Sequence, residues 1–176
     1  MTTFDATRIA ALVRTIPDFP QPGILFRDIT PLLYDPDARR EVIDALANAA
    51  RAMGATLIAG VESRGFIFGV PVAERLGIPF VPVRKPGKLP HEFASVAYDL
   101  EYGSSELQMH RTPPVAGHRV VIVDDLLATG GTAWATARLV EECGGEVGGF
   151  AFVIELIALD GRARLGGCSV TTLLTY

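Results

Sequence analysis

The chain has 176 residues, a length that suits one domain, and 49% of them are hydrophobic, enough to build a substantial core. Its formal net charge of −4 provides no general basic surface, which argues against nucleic acid as a partner. Two cysteines and three scattered histidines are too few, and wrongly spaced, for a disulfide framework or a zinc site, so we predict no protein-bound metal centre.

The beginning of the chain has no cationic region followed by an apolar stretch, so it predicts no signal peptide. No apolar run approaches the roughly 18 residues that a membrane span needs. We therefore expect a cytoplasmic protein without a membrane partner.

Hydrophobic periodicity and turn residues predict alternating helices and strands along the chain. Such alternation is typical of an α/β fold with a mostly parallel central sheet, flanked by helices, in which ligands bind outside the carboxyl ends of the strands. We expect a single domain over residues 1–176. The predicted elements are helix 5–15, loop 17–23, helix 36–53, strand 56–61, helix 66–76, strand 78–83, hairpin strands around 98–101 and 106–109, strand 119–124, helix 131–143, strand 146–156, a helical turn at 160–165 and strand 169–174.

Residues 120–132, VVIVDDLLATGGT, are the most informative stretch of the chain. Four apolar β-branched residues predict a strand that is buried on both faces. Two carboxylates, Asp124 and Asp125, then stand at the expected strand end, and a turn of small residues leads into a helix. Such a turn exposes backbone N–H groups at the positive end of the helix dipole, which suits a phosphate dianion. The neighbouring carboxylates suit the two hydroxyls of a ribose.

An ordinary βα turn with a capped helix and a solvated strand end is the alternative interpretation of this stretch. Two acids, two glycines and two threonines within nine residues make that interpretation weaker than a ribose-phosphate site. The P-loop and dinucleotide fingerprints both require residues that this stretch lacks.

Two further polar clusters follow predicted strands. Glu62-Ser63-Arg64-Gly65 is a tight turn whose arginine can present a planar donor fork to phosphate oxygens, although a surface ion pair is the alternative. The segment RKPGKLP at residues 84–90 places three cations among prolines and a glycine, and a solvated basic loop is the alternative there. It opens a polar insertion at residues 84–111, here called the hood, which is long enough to act as a flexible lid.

The stretch DDLLATGGT resembles the 5-phosphoribosyl-1-diphosphate (PRPP) motif of the type I phosphoribosyltransferases, in the version of members that act on adenine. RKPGKLP, the hood segment LEYG at residues 100–103 and the FPQPGILFRD segment at 19–28 resemble the same group, in the expected order. The resemblance implies the type I phosphoribosyltransferase fold with a hood insertion at about 84–111 and a base-recognition segment at about 17–30. It also implies transfer of the 5-phosphoribosyl group from PRPP to N9 of adenine, giving AMP and diphosphate.

The resemblance assigns roles to individual residues of this chain. Glu101 would exchange a proton with purine N7, Arg64 would stabilise the departing diphosphate, and the Glu62–Ser63 peptide would be cis. The residues implied are Glu101 and Arg64 as catalytic; Asp124, Asp125, Ala128, Thr129, Gly130, Gly131 and Thr132 for ribose phosphate; Ser63, Arg64, Arg84, Lys85, Lys88 and Tyr102 for diphosphate; and Leu25, Phe26, Arg27 and Leu156 for adenine.

The implied cofactor is Mg²⁺, bound mainly through PRPP and diphosphate rather than by a protein cage, so we assign no metal ligand. The implied partners are adenine, PRPP and a second copy of the chain in a homodimer. Two alternatives stay open at this point: a transferase acting on hypoxanthine, guanine or xanthine, and a PRPP-sensing regulator without turnover. The first would usually carry a lysine near the 6-oxo group, and the second a nucleic-acid-binding surface.

Overall fold

The structure is a computed structural model that describes residues 4–99 and 104–176. Contacts between backbone positions divide the chain into two compact units, one up to Ala45 and one from Leu46 to Tyr176. The helices are α1 (Ala6–Ala11), α2 (Thr30–Tyr34), α3 (Pro36–Ala52), α4 (Arg64–Leu76) and α5 (Gly131–Glu142), with short 3-10 helices at Ile157–Leu159 and Gly161–Leu165. The strands are β1 (Arg14–Pro17), β2 (Leu25–Asp28), β3 (Leu57–Val61), β4 (Phe80–Arg84), β5 (Phe93–Asp99), β6 (Ser104–His110), β7 (Arg119–Leu127), β8 (Glu146–Glu155) and β9 (Val170–Thr175).

A seven-stranded sheet in the order β5-β6-β4-β3-β7-β8-β9 forms the centre of the second unit. Strands β4, β3, β7, β8 and β9 run parallel, which confirms the predicted α/β sheet. The antiparallel hairpin β5-β6 extends this sheet at one edge, so the hood contributes strands to the sheet as well as a loop.

Helices cover both faces of the sheet. Helix α5 contributes to one continuous core together with β3, β7 and β8, in which Ile122, Leu139 and Phe152 are almost fully buried. Helix α4 packs on the opposite face against β3 and β7, and Phe68 and Val72 are its buried residues. The carboxyl ends of β3 and β7 therefore meet in the middle of the sheet.

The first unit differs from the sequence prediction at its first helix. Asp5 caps α1 by accepting hydrogen bonds from the N–H groups of Thr7 and Arg8, but the helix ends at Ala11 rather than near residue 15. The residues that follow form β1, which pairs antiparallel with β2. An ion pair between Arg14 and Asp28, with Nη2 and Oδ2 2.5 Å apart, joins the ends of the two strands. Pairing with a distant segment has overridden the helical periodicity.

Candidate active site

A cavity of about 330 Å³ lies at the carboxyl ends of β3 and β7, within the second unit. Its walls come from the loop after β3, the hood strands, the end of β7 and the turn that begins α5. Of the residues predicted for phosphate, ribose and diphosphate, it brings together Ser63, Arg64, Lys85, Asp124, Asp125, Ala128, Thr129, Gly130, Gly131 and Thr132.

Residues 128–132, here called the cradle, connect β7 to α5. Gly130 has φ +80°, a left-handed conformation that favours glycine, and it caps the helix that Gly131 begins. The first N–H groups of α5 have no partner inside the helix, so they and the helix dipole create a positive field at this end of the cavity. The local geometry is that of an anion site.

The 3-10 helix Gly161–Leu165 packs against the cradle. A Cβ atom on Gly161 would lie 2.2 Å from the carbonyl oxygen of Ala128 and 3.1 Å from the backbone nitrogen of Gly130. Only a residue without a side chain allows this contact between the two backbones. The sequence analysis missed Gly161, because the turn at residues 160–165 carries no sign of what it touches.

Arg162 fastens that supporting helix to the sheet. Its Nε and Nη2 donate to the two carboxylate oxygens of Glu155 at 2.6 and 2.7 Å. Thr172 donates to the same carboxylate from the neighbouring strand, at 2.9 Å. The hydrogen bond from Arg162 holds the pKa of Glu155 below its usual range, so the buried carboxylate is charged and paired at neutral pH.

Strand β7 continues to Leu127, so Asp124 and Asp125 lie in its last part rather than after its end. The N–H of Asp125 donates to Oδ1 of Asp124 at 2.8 Å. Nε of Arg64 lies 2.8 Å from Oδ2 of Asp125, whose side chain is 7% exposed, whereas the arginine is 40% exposed. An arginine at the start of α4 therefore partners a carboxylate of β7 across the cavity.

The charged forms of the Asp124 and Asp125 carboxyl groups are disfavoured at these positions. Burial raises the pKa of Asp124 well above its ordinary value, and the adjacent Asp125 raises it further. Burial also raises the pKa of Asp125, while the Arg64 guanidinium opposes the shift. Ligand hydroxyls that donate hydrogen bonds to this pair would stabilise its charged form.

The loop after β3 is joined to the beginning of the hood. The Glu62–Ser63 peptide is cis, which confirms the expectation drawn from the resemblance. The Glu62 carboxylate accepts hydrogen bonds from Nε of Arg84 and from the backbone N–H of Lys85, each at 3.0 Å. The Lys85 bond, followed by that of Arg84, lowers the pKa of Glu62, so this connection persists at neutral pH.

Several predicted site residues lie elsewhere. Within the described part of the chain, Arg84, Lys88 and Leu156 do not line the cavity. The guanidinium of Arg84 lies over the ring of Phe66, 5.7 Å from its centroid. Leu156 is half-buried directly after β8, and its N–H donates to the carbonyl of Leu127 at 2.9 Å.

The other three residues predicted for adenine, Leu25, Phe26 and Arg27, lie in the first unit. Leu25 is 54% exposed on β2, and the ring of Phe26 packs edge-to-face against Phe19 with centroids 5.2 Å apart. Arg27 donates a hydrogen bond to the hydroxyl of Thr15 on the paired strand. Glu101 and Tyr102 lie outside the described residues.

Residues 4–99 and 104–176 contain no group of three or more His, Cys, Asp or Glu side chains that could hold a metal ion. Over the same ranges, every helix is too short or too polar to cross a bilayer.

An α/β sheet with an anion cradle, paired carboxylates and a basic loop around one cavity defines a phosphoribosyltransferase, and residues 32–164 match the phosphoribosyl transferase domain family. Adenine phosphoribosyltransferases are similar over nearly the whole chain. The protein of Synechococcus sp. (strain ATCC 27144 / PCC 6301 / SAUG 1402/1) is 54% identical over 96% of this chain and 98% of its own. That of Methylococcus capsulatus (strain Bath) is 56% identical over 96% and 99%. The chain belongs to the adenine phosphoribosyltransferase family.

Solved structures of the same family have the same fold. The crystal structure of adenine phosphoribosyltransferase from Thermoanaerobacter pseudethanolicus superposes with a TM-score of 0.94 at 51% identity, covering 98% of this chain and all of that one. The enzyme from Saccharomyces cerevisiae, complexed with an imino-altritol bisphosphate and adenine, gives 0.91 at 41% identity, covering 96% and 98%.

Proposed function

We propose that this cavity binds PRPP and that adenine attacks its anomeric carbon there, giving AMP and diphosphate. One observation carries the proposal: a helix N-terminal cradle, a carboxylate pair and an arginine-bearing loop line a single cavity of about 330 Å³. These three features match the 5′-phosphate, the ribose diol and the diphosphate of one substrate.

The cradle holds the 5′-phosphate through backbone N–H groups of residues 128–132 and the hydroxyls of Thr129 and Thr132. Asp124 and Asp125 accept hydrogen bonds from the ribose 2′- and 3′-hydroxyls. The raised pKa of both carboxyl groups supports this assignment, because two donors from the ligand compensate the charge that burial disfavours.

The diphosphate lies on the opposite side of the sugar, against Ser63, Arg64 and Lys85, which line the cavity. Arg84, Lys88 and Tyr102 are proposed as further diphosphate contacts from the hood, although the described structure does not include them in the cavity wall. Mg²⁺ would be held chiefly by oxygens of PRPP and diphosphate, so no side chain is assigned to it, and there it would offset negative charge on the diphosphate.

Leu25, Phe26 and Arg27 of the first unit are the proposed contacts of adenine. The exposed Leu25 and the half-exposed ring of Phe26 offer apolar surface and an accessible strand edge to a flat base. The adenine bound in the yeast relative supports adenine as the acceptor.

In the reaction, the bond from C1′ to the diphosphate oxygen breaks and that oxygen keeps the electron pair. N9 of adenine forms the new bond to C1′ from the opposite face, with inversion. The proton leaves the base at N7 to the carboxylate of Glu101, which returns one in the reverse direction. Arg64 stabilises charge on the leaving group, and alignment supplies much of the remaining acceleration.

The proposed base specificity can be tested directly. Purified protein is mixed with Mg²⁺, PRPP and one of adenine, hypoxanthine, guanine or xanthine, and nucleotide formation is followed. We expect AMP from adenine and little product from the 6-oxopurines. A preference for a 6-oxopurine would show that adenine is not the acceptor. Binding of PRPP without turnover of any base would indicate a regulator instead of an enzyme.

Glu101→Ala tests the proposed proton transfer. General acid–base groups contribute about 10²- to 10⁴-fold, so kcat should fall by that order while KM for PRPP changes much less. Steady-state AMP formation provides both constants, and Glu106→Ala, another glutamate of the hood, is measured as the control. An unchanged kcat for Glu101→Ala would remove the assignment.

We also propose that residues 1–176 act as one phosphoribosyltransferase domain, that two copies form a homodimer and that the protein works in the cytoplasm. The near-complete coverage of curated relatives supports the first of these. Light scattering at several protein concentrations tests the dimer.

A further inference from the structure

Tyr98 is a tyrosine of hood strand β5 that reaches the cradle. Its hydroxyl oxygen lies 3.2 Å from Oγ1 of Thr132, 34 residues away in sequence. Its ring lies against the start of α5, because a Cβ atom on Gly131 would be 3.2 Å from Cδ2 of Tyr98. Tyr98 therefore belongs to the wall of the cavity and touches two cradle residues.

The ring and the hydroxyl of Tyr98 have separable functions. The ring is partly buried against the main hydrophobic core, a contact that a phenylalanine would preserve. The hydroxyl faces a polar partner at the rim of the cavity and adds nothing to apolar packing. Core packing thus explains why position 98 holds an aromatic ring, but it does not explain why the residue is tyrosine and not phenylalanine.

Thr132 offers a hydroxyl that can donate one hydrogen bond and accept others. It is the second residue of α5, and its backbone carbonyl accepts a hydrogen bond from Oγ1 of Thr136 at 2.9 Å. A phosphate dianion can only accept hydrogen bonds, so Thr132 must donate its single proton to it. The Thr132 oxygen is then available as an acceptor for the Tyr98 O–H.

We propose that Tyr98 is a positioning residue for the 5′-phosphate, whose hydroxyl donates to Thr132 and so directs the Thr132 proton towards the phosphate. This inference rests on the proposed function, since it requires the cradle to hold a phosphate. It also connects the phosphate end of the substrate to β5, the strand that precedes Glu101.

The experiment is a double-mutant cycle in the full chain. Affinity for AMP, which carries the 5′-phosphate, and for diphosphate, which does not, is measured by calorimetry for wild type, Tyr98→Phe, Thr132→Ala and the double variant. Thr132→Ser, which keeps a hydroxyl, forms a second background. Tyr34→Phe, which removes a hydroxyl from a 90% exposed side chain, is the matched control. Melting temperatures verify that each variant is folded.

Tyr98→Phe should weaken AMP binding and raise KM for PRPP by about two- to tenfold, the range expected for one hydrogen bond, with kcat nearly unchanged. Diphosphate affinity should stay at the wild-type value. The effect should persist with serine at position 132 and vanish with alanine there.

An equal effect of Tyr98→Phe in the Thr132→Ala background would overturn the inference, as would a matching loss of diphosphate affinity. Either result leaves the proposed function intact if wild type forms AMP. A wild-type protein that binds neither AMP nor PRPP would instead overturn the proposed function, and this inference with it.

Discussion

Replacing Gly161 with alanine is expected to lower Tm by about 4–10 °C and to raise KM for PRPP about tenfold or more. The new Cβ atom would meet the carbonyl oxygen of Ala128 at 2.2 Å, so either the cradle or the supporting 3-10 helix must move. This nearest obstacle is a backbone atom, which cannot rotate away as a flexible side chain could. Calorimetric melting and initial rates at varied PRPP measure the two effects.

Ala163→Ser is the matched control, because it changes an exposed residue of the same short helix. It should leave both Tm and KM close to wild type. Affinity for AMP should fall with Gly161→Ala, since AMP carries the 5′-phosphate. If Gly161→Ala keeps the wild-type KM and Tm, the supporting role of this helix is wrong.

Arg64→Ala is expected to lower kcat/KM for PRPP on the order of 10²- to 10³-fold, the usual cost of removing one stabilising donor from an active site. It should also move the acidic limb of the pH profile to higher pH. Arg64 lowers the pKa values of Asp124 and Asp125, which burial raises, so removing the cation raises both pKa values further. Activity that needs these carboxylates ionised is present above their pKa and is lost as pH falls through it.

Arg64→Lys separates charge from geometry. Lysine retains the positive charge, so the acidic limb should stay close to wild type, but it lacks the planar donor fork, so kcat/KM should still fall. Arg40→Ala, which removes an exposed arginine from a surface ion pair of α3, is the control and should change neither. The measurement is the profile of kcat/KM against pH for all four proteins. If the acidic limbs of wild type and Arg64→Ala coincide, Arg64 does not control the ionisation of Asp124 and Asp125.

The cradle could be predicted from sequence because all of its parts are contiguous. A turn of small residues between a buried strand and a helix leaves the backbone N–H groups of the helix start accessible, and residues 128–132 line the cavity as the motif predicts. The parallel core was predicted for a similar reason, since strongly apolar strands alternate with amphipathic helices.

The parts that sequence could not provide depend on long-range contacts. The role of Gly161 follows from its contact with Ala128, and the role of Tyr98 follows from its contact with Thr132. Neither contact can be read from the sequence. The strands β1 and β2 are four residues each, and only their pairing with one another makes them strands. The end of β7 extends past both aspartates because Leu127 pairs with Glu155 on the long neighbouring strand.

The hood joins the sheet at its edge, where its sequence can change without disturbing the central strands. Hairpin β5-β6 pairs with β4 through two residue pairs, Val83 with Met109 and Arg84 with Gln108, whereas the parallel strands pair with one another independently of it. Insertions, deletions or wholesale exchange of the hairpin can therefore occur without re-registering the parallel scaffold. A lineage can therefore acquire a different lid while it inherits the parallel strands, and with them the cradle and the carboxylate pair, unchanged.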